Sequence, residues 1–223
     1  MVERSRPVVE EWAAVDGYIA DRLLPDDPAA AVRANADAGL PAIDVSPAQG
    51  KMLHLMARMT GARRVLEVGT LGGYSTIWLA RAVGEGGMVV SLEIDPHHAA
   101  VARANVDAAG VGTRVDIRVG PAIDTLHTLD GPYDFVFIDA DKPSNVAYMR
   151  EAVRLTRPGG TIVVDNVVRE GDLLDAASTD PRVTGTRALF EAVAADPRLS
   201  ATAVQTVGAK KWDGFLLAIR GEG

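Results

Sequence analysis

A short apolar run that ends in an acid and opens into a glycine-rich turn constrains this chain more than any other stretch: Arg64-Val65-Leu66-Glu67-Val68-Gly69-Thr70-Leu71-Gly72-Gly73-Tyr74-Ser75. The residues that follow, to Val83, carry the apolar spacing of a helix. Strand, tight turn and helix in that order open an α/β sheet, in which ligands sit beyond the carboxyl ends of the strands. The glycines let the main chain bend sharply and let a ligand approach it closely. Their order is Gly69-x-x-Gly72-Gly73 rather than Gly-x-Gly-x-x-Gly, and Glu67 stands at the strand end. A carboxylate there repels a pyrophosphate and suits a cationic or hydrogen-bond-donating ligand. The turn therefore reads as the seat of a nucleoside-type cofactor and fits a dinucleotide poorly. The alternative is a loop that is merely lined with glycine.

The rest of the chain extends this unit. Ser46-Pro47 starts a helix, with Ser46 as N-cap, Pro47 at the first position and a Met52, Met56, Met59 stripe read as core. Before it, Val8 to Leu24 and Ala29 to Ala38 form an amino-terminal helical extension (residues 1–44) to a sheet core over 45–223. Further strands are expected at Met88–Glu93, Val115–Val119, Phe135–Asp139 and Thr161–Asp165, with helices between, so the sheet is parallel. Ala201–Val207 and Gly214–Ile219 have no helix between them. With Asp213-Gly214 as turn, they predict a hairpin that sets an antiparallel strand at the sheet edge. At 223 residues all this fits one domain. The net charge of −7 argues against nucleic acid as the main partner, and no apolar run approaches the ~20 residues that span a membrane. Zero cysteines exclude disulfides and thiolate sites and, with no signal-like amino terminus, point to the cytoplasm.

Three strand ends carry the chemistry. Glu93 closes the strand after the glycine turn, where an acid accepts hydrogen bonds from ribose hydroxyls; Asp95 is the better placed N-cap for the next helix. Asp139 and Asp165-Asn166 each terminate a very apolar strand. If those strands are neighbours their ends lie ~5 Å apart, and two carboxylates with one amide oxygen suit a hard cation such as Mg²⁺, Mn²⁺ or Ca²⁺. The plainer reading is that each acid caps a helix. Lys142, three residues after Asp139, lies over the same spot as a candidate general base or as a surface lysine. His54, His97, His98 and His127 have no ligand spacing and read as satisfied, surface or capping residues, and Trp212 reads as structural packing, with the lining of an aromatic pocket as the alternative.

Glu67-x-Gly69-x-x-x-Gly73-Tyr74-Ser75, Glu93, Asp139-Ala140-Asp141-Lys142 and Asp165-Asn166 together resemble the cation-dependent O-methyltransferases, the group that includes catechol and caffeoyl-CoA O-methyltransferases. The resemblance runs from Val45 to the Trp212-Asp213-Gly214 tail. It implies the class I methyltransferase Rossmann-like fold: a seven-stranded, mostly parallel sheet with an antiparallel last strand and helices on both faces. It implies S-adenosylmethionine as cofactor. Val45, Gly69 and Thr70 would lie at its methionine portion, Glu67 and Ser75 on polar atoms of that portion, Glu93 on the ribose, Ala122 at the adenine edge, and Asp141 also facing it. Asp139, Asp165 and Asn166 match the Mg²⁺ ligands and Lys142 the catalytic base. The implied acceptor is a small vicinal dihydroxy-aromatic, and the implied assembly a homodimer. Two other readings remain. A nicotinamide-dependent oxidoreductase leaves Asp139, Asp165 and Asn166 without a purpose; a non-catalytic nucleoside-cofactor-binding protein does not need Lys142.

Overall fold

The computed structural model describes residues 8–222, so the start of the expected 1–44 extension lies outside the described residues. Helices α1 (Val8–Leu23), α2 (Ala29–Asp37) and α3 (Pro47–Met59) come first. Strands and helices then alternate: β1 (Arg64–Val68), α4 (Tyr74–Val83), β2 (Met88–Glu93), α5 (Pro96–Ala108), β3 (Val115–Val119), α6 (Ala122–Thr128), β4 (Tyr133–Ile138), α7 (Asn145–Leu155), β5 (Thr156–Asp165) and α8 (Pro181–Ala195). Strands β6 (Leu199–Gly208) and β7 (Lys211–Arg220) close the chain. The caps expected from sequence form: Ser46 Oγ accepts the Gln49 N–H at 3.2 Å and Asp95 accepts the His97 N–H at 2.7 Å.

The seven strands form one sheet in the order β3-β2-β1-β4-β5-β7-β6. Strands β1 to β5 pair in parallel, and β7 runs antiparallel to both β5 and β6. Successive side chains alternate between faces, and in the central strands both faces are buried. Leu66, Val68, Val136, Ile138 and Val164 pack under α6, α7 and α8, whereas Val65, Phe135, Phe137 and Val163 pack under α3 and α4. That is why these strands read as unbroken apolar runs. Connections leave β1 toward β2 on one side and β4 lies on the other, so the crevice of the fold opens at the carboxyl ends of β1 and β4. Gly69 follows β1 with φ of 100°, and a Cβ there would overlap the Asp139 carbonyl oxygen. Only glycine lets the two strand ends approach this closely.

Four expectations are corrected. The β6–β7 hairpin turns at Ala209-Lys210, because Gly208 pairs with Lys211; Asp213 lies inside β7 opposite Thr206. Its carboxylate instead accepts the Val168, Arg169 and Gly214 N–H groups at 3.0, 3.1 and 2.9 Å. The hairpin puts β6 at the edge and β7 one place in. Strand β5 begins at Thr156, where it pairs with Tyr133 before a register shift. Met59 is 85% exposed, so the methionine stripe is core only at Met52 and Met56. Among the described residues no helix is long and apolar enough to cross a membrane.

Candidate active site

Beyond the carboxyl ends of β1, β2, β4 and β5 lies a cavity of about 680 Å³, within the usual size for a small-molecule or cofactor site. Val45, Gly69, Thr70, Ser75, Glu93, Ala122, Asp139, Asp141, Lys142 and Asn166 all border it. Asp165, buried at the end of β5, does not, and neither does Glu67, which is fully buried behind the glycine turn, where its carboxylate accepts the hydroxyls of Ser75 and Ser91, both at 2.6 Å, and that of Thr76. Glu67 therefore reaches the cavity only through Ser75. Thr70 Oγ1 lies 2.6 Å from Ser91 Oγ, which continues this hydroxyl network under the loop. Glu93 braces the same loop from above, its Oε2 accepting the Thr70 and Leu71 N–H groups at 3.2 and 2.8 Å. Its Oε1 accepts the Asp95 N–H at 3.0 Å, and lone-pair capacity remains on the cavity side.

The second half of the cavity is acidic and basic at once. Ile138 pairs with Val164, so Asp139 and Asp165 leave the sheet from adjacent strand ends. Asp165 is 3% exposed, and burial, together with the Asp139 charge beside it, pushes its carboxyl up to about 7 against the pull of Lys142. Asn166 takes a left-handed conformation (φ 56°), which ends the strand alternation and turns the chain along the cavity wall. Lys142 is buried, with Nζ 2.9 Å from Asp139 Oδ1. Asp141 accepts the Ser144 N–H at 3.2 Å and the Tyr148 hydroxyl. Burial alone would raise it, yet these donors hold it below the ordinary carboxylate range. Among the described residues no three His, Cys, Asp or Glu side chains gather into a metal-binding group, so the candidate set is two carboxylates and an amide. A buried carboxylate this reluctant to ionise, next to another and to an amide oxygen, is the chemistry a hard divalent cation satisfies.

Glu67 supplies a test of this electrostatic design. Burial pushes its carboxyl from 4.5 up to about 7 despite three hydroxyl donors. The unfolded chain gives up that proton first, so this group lowers stability progressively as pH rises from 4.5 to 7, by about 3 kcal/mol in full. Glu67→Gln is expected to remove that slope. Urea unfolding at pH 5 and pH 8 should show the variant gaining about 2–3 kcal/mol on the wild type between the two. Parallel pH dependence in both proteins would mean the carboxylate is not penalised for its charge.

Several contributors were not legible as site residues. His98, expected at the surface, borders the cavity with Nδ1 3.6 Å from Glu93 Oε1. Asn105 Nδ2 donates to the Gly72 carbonyl at 2.8 Å and to Asn35 Oδ1 at 2.9 Å, and Asn35 Nδ2 donates to Asp44 at 2.8 Å. Helix α2 is thereby tied to the glycine turn, and a side chain on Gly72 would collide with Asn35. No local pattern announces such contacts. Tyr148 had a weak signal, standing on the first turns of the helix that follows Asp141. Elsewhere the expectations agree with the contacts: His54 Nδ1 is 3.1 Å from the Trp78 carbonyl, and Trp212 packs on the core and over Gly171.

A parallel sheet with a glycine turn after β1, an acid ending β2 and an antiparallel β7 between β5 and β6 is the class I methyltransferase fold. The chain belongs to the O-methyltransferase family, whose sequence profile matches residues 29–220. It is 55% identical over 208 residues to a catechol O-methyltransferase of Mycobacterium tuberculosis, covering 92% of this chain and 94% of that one. Its structure superposes on an O-methyltransferase from Bacillus cereus in complex with SAH with a TM-score of 0.92, at 51% identity and with 95% and 99% of the two chains covered. The O-methyltransferase TomG from Streptomyces achromogenes, in complex with SAM, gives 0.93 at 42% identity, with 97% and 100% covered.

Proposed function

We propose that the chain transfers the sulfonium methyl group of S-adenosylmethionine to one oxygen of a small vicinal dihydroxy-aromatic, with a hard divalent cation held by Asp139, Asp165 and Asn166. One observation carries this reading: Asp139, Asn166 and the buried Lys142 border the same cavity as the glycine turn, with the Asp165 carboxyl buried at the adjoining strand end within reach of the Asp139 and Lys142 charges. In it residues 8–222 act as one domain, the helices before Val45 closing the nucleoside side. Gly69 and Thr70 bear on the methionine portion with Val45 and Ser75, Glu67 acting through Ser75; Glu93 takes the ribose hydroxyls, and Ala122 and Asp141 flank the nucleoside. When bound, Mg²⁺ or a similar cation lowers the pKa of the acceptor hydroxyls and orients both oxygens.

Lys142 Nζ accepts the proton of the acceptor hydroxyl. The oxygen's electron pair then forms the new O–C bond as the C–S bond breaks and its electrons return to sulfur. Burial of Lys142 keeps its amine from bulk water, and its Nζ lies beside Asp139, where an acceptor hydroxyl held at the cation would come within its reach. The test is calorimetry with S-adenosylmethionine and with NAD, followed by methyl transfer to catechol. S-adenosylmethionine is expected to bind and NAD not to, with turnover lost in chelator and restored by Mg²⁺. Full turnover in chelator would remove the metal from the mechanism, and binding of NAD alone would replace the methyl donor.

A further inference from the structure

The acceptor end of the cavity carries three cationic side chains, Lys142, Arg169 and Arg182. Lys142 is paired with Asp139. Arg182 is held by Asp180, to which its backbone N–H and guanidinium both donate, and it also feels Asp172. Arg169 is different. Its side chain is half-buried, makes no hydrogen bond among the described residues, and its Nε is buried without a partner. Its positive charge is felt at Asp180, but that carboxylate already serves Arg182.

The position of Arg169 is built rather than incidental. It follows Asn166 by three residues and has a left-handed φ of 57°. The Asp213 carboxylate fixes this turn by accepting both the Val168 and the Arg169 N–H groups. Strand β7 thus delivers a guanidinium to the cavity wall beside the candidate cation ligands. A partly desolvated guanidinium with an unpaired N–H is most strongly satisfied by a carboxylate, through charge-assisted hydrogen bonds.

From this geometry we infer that Arg169 binds an anionic group of the acceptor, so that the preferred acceptors are catechols bearing a carboxylate. The inference rests on the catechol reading above and deepens it: the ring hydroxyls are handled at Asp139, Asp165, Asn166 and Lys142, and the anion at Arg169. The neutral ester of the same ring keeps the reacting oxygens and loses only the contact to Arg169.

The experiment compares kcat/KM for 3,4-dihydroxybenzoate, 3,4-dihydroxyphenylacetate and caffeate with those of their methyl esters, in the wild type, Arg169→Gln and Arg169→Lys, each loaded with S-adenosylmethionine and Mg²⁺. The wild type should favour the best acid over its ester by about tenfold or more, as expected for one charge-assisted contact of ~1.5–3 kcal/mol. Arg169→Gln should bring that ratio close to one, mainly through KM, and Arg169→Lys should retain part of it. Added NaCl should shrink the wild-type ratio. Equal use of acid and ester by the wild type, or an unchanged ratio in Arg169→Gln, overturns the inference while leaving the catechol reading intact. Turnover of none of the six compounds overturns the catechol reading and this inference with it.

Discussion

Lys142→Met is expected to lower kcat for a catechol acceptor by about 10²–10⁴-fold, the usual contribution of a positioned general base, with the dissociation constant for S-adenosylmethionine changed only a few-fold. The split follows from where the lysine stands. Its Nζ is bonded to Asp139, at the end of the cavity opposite Glu93, His98 and Ala122. Loss of the ammonium also leaves Asp139 and Asp165 to repel each other without a cation, so some loss of stability accompanies the variant in chelator. Lys142→Arg separates the two effects. It restores a positive charge but cannot release its proton near neutrality, so it should recover stability and not turnover. Single-turnover kinetics beside calorimetry of cofactor binding make the comparison. A parallel fall in cofactor affinity and kcat would sink the base assignment.

Asp165→Asn should move activity and stability in opposite directions. Turnover is expected to drop by at least about 10²-fold, because a charged ligand to the cation is lost along with several kcal/mol of charge stabilisation. Without metal, however, the native carboxyl is raised from 3.8 to about 7, first by burial and then by Asp139. The unfolded chain ionises at the lower pH, so the carboxylate takes stability away as pH rises through this window, and all of it is gone above 7. In chelator at pH 8 the neutral amide should therefore be more stable than the wild type and unfold at a higher Tm. Mg²⁺ should raise the wild-type Tm by linkage and leave the variant's unchanged. Scanning calorimetry with and without Mg²⁺ decides it. A less stable variant in chelator would mean that Asp165 is already compensated in the metal-free protein.

The two halves of the site differed in how far they could be read from the chain. Asp139 and Asp165-Asn166 were visible because each ends an apolar run long enough to be a buried strand, and Lys142 because it follows Asp139 by three residues. A charged residue in that place has no packing reason to be there. Whether they meet depended on strand order, and β4 beside β5 could not follow from local sequence, because strand neighbours are chosen by packing of the whole sheet. Glu67 shows the reverse case. As an acid at a strand end it looked like a ligand contact, but the alternation of β1 turns it toward Ser75, Thr76 and Ser91.

By itself the sequence determined the alternation of strands and helices, the helix starts at Ser46 and Asp95, and the glycine turn, since each depends on residues a few positions apart. It also determined which chemical groups stand at strand ends. Tertiary structure alone decided that Asp213 of β7 clamps Arg169, that Asn35 and Asn105 grip Gly72, and that Glu67 is shut away while Glu93 and His98 face the cavity. These contacts join segments tens of residues apart, and their partners are fixed only when both faces of the sheet have been covered.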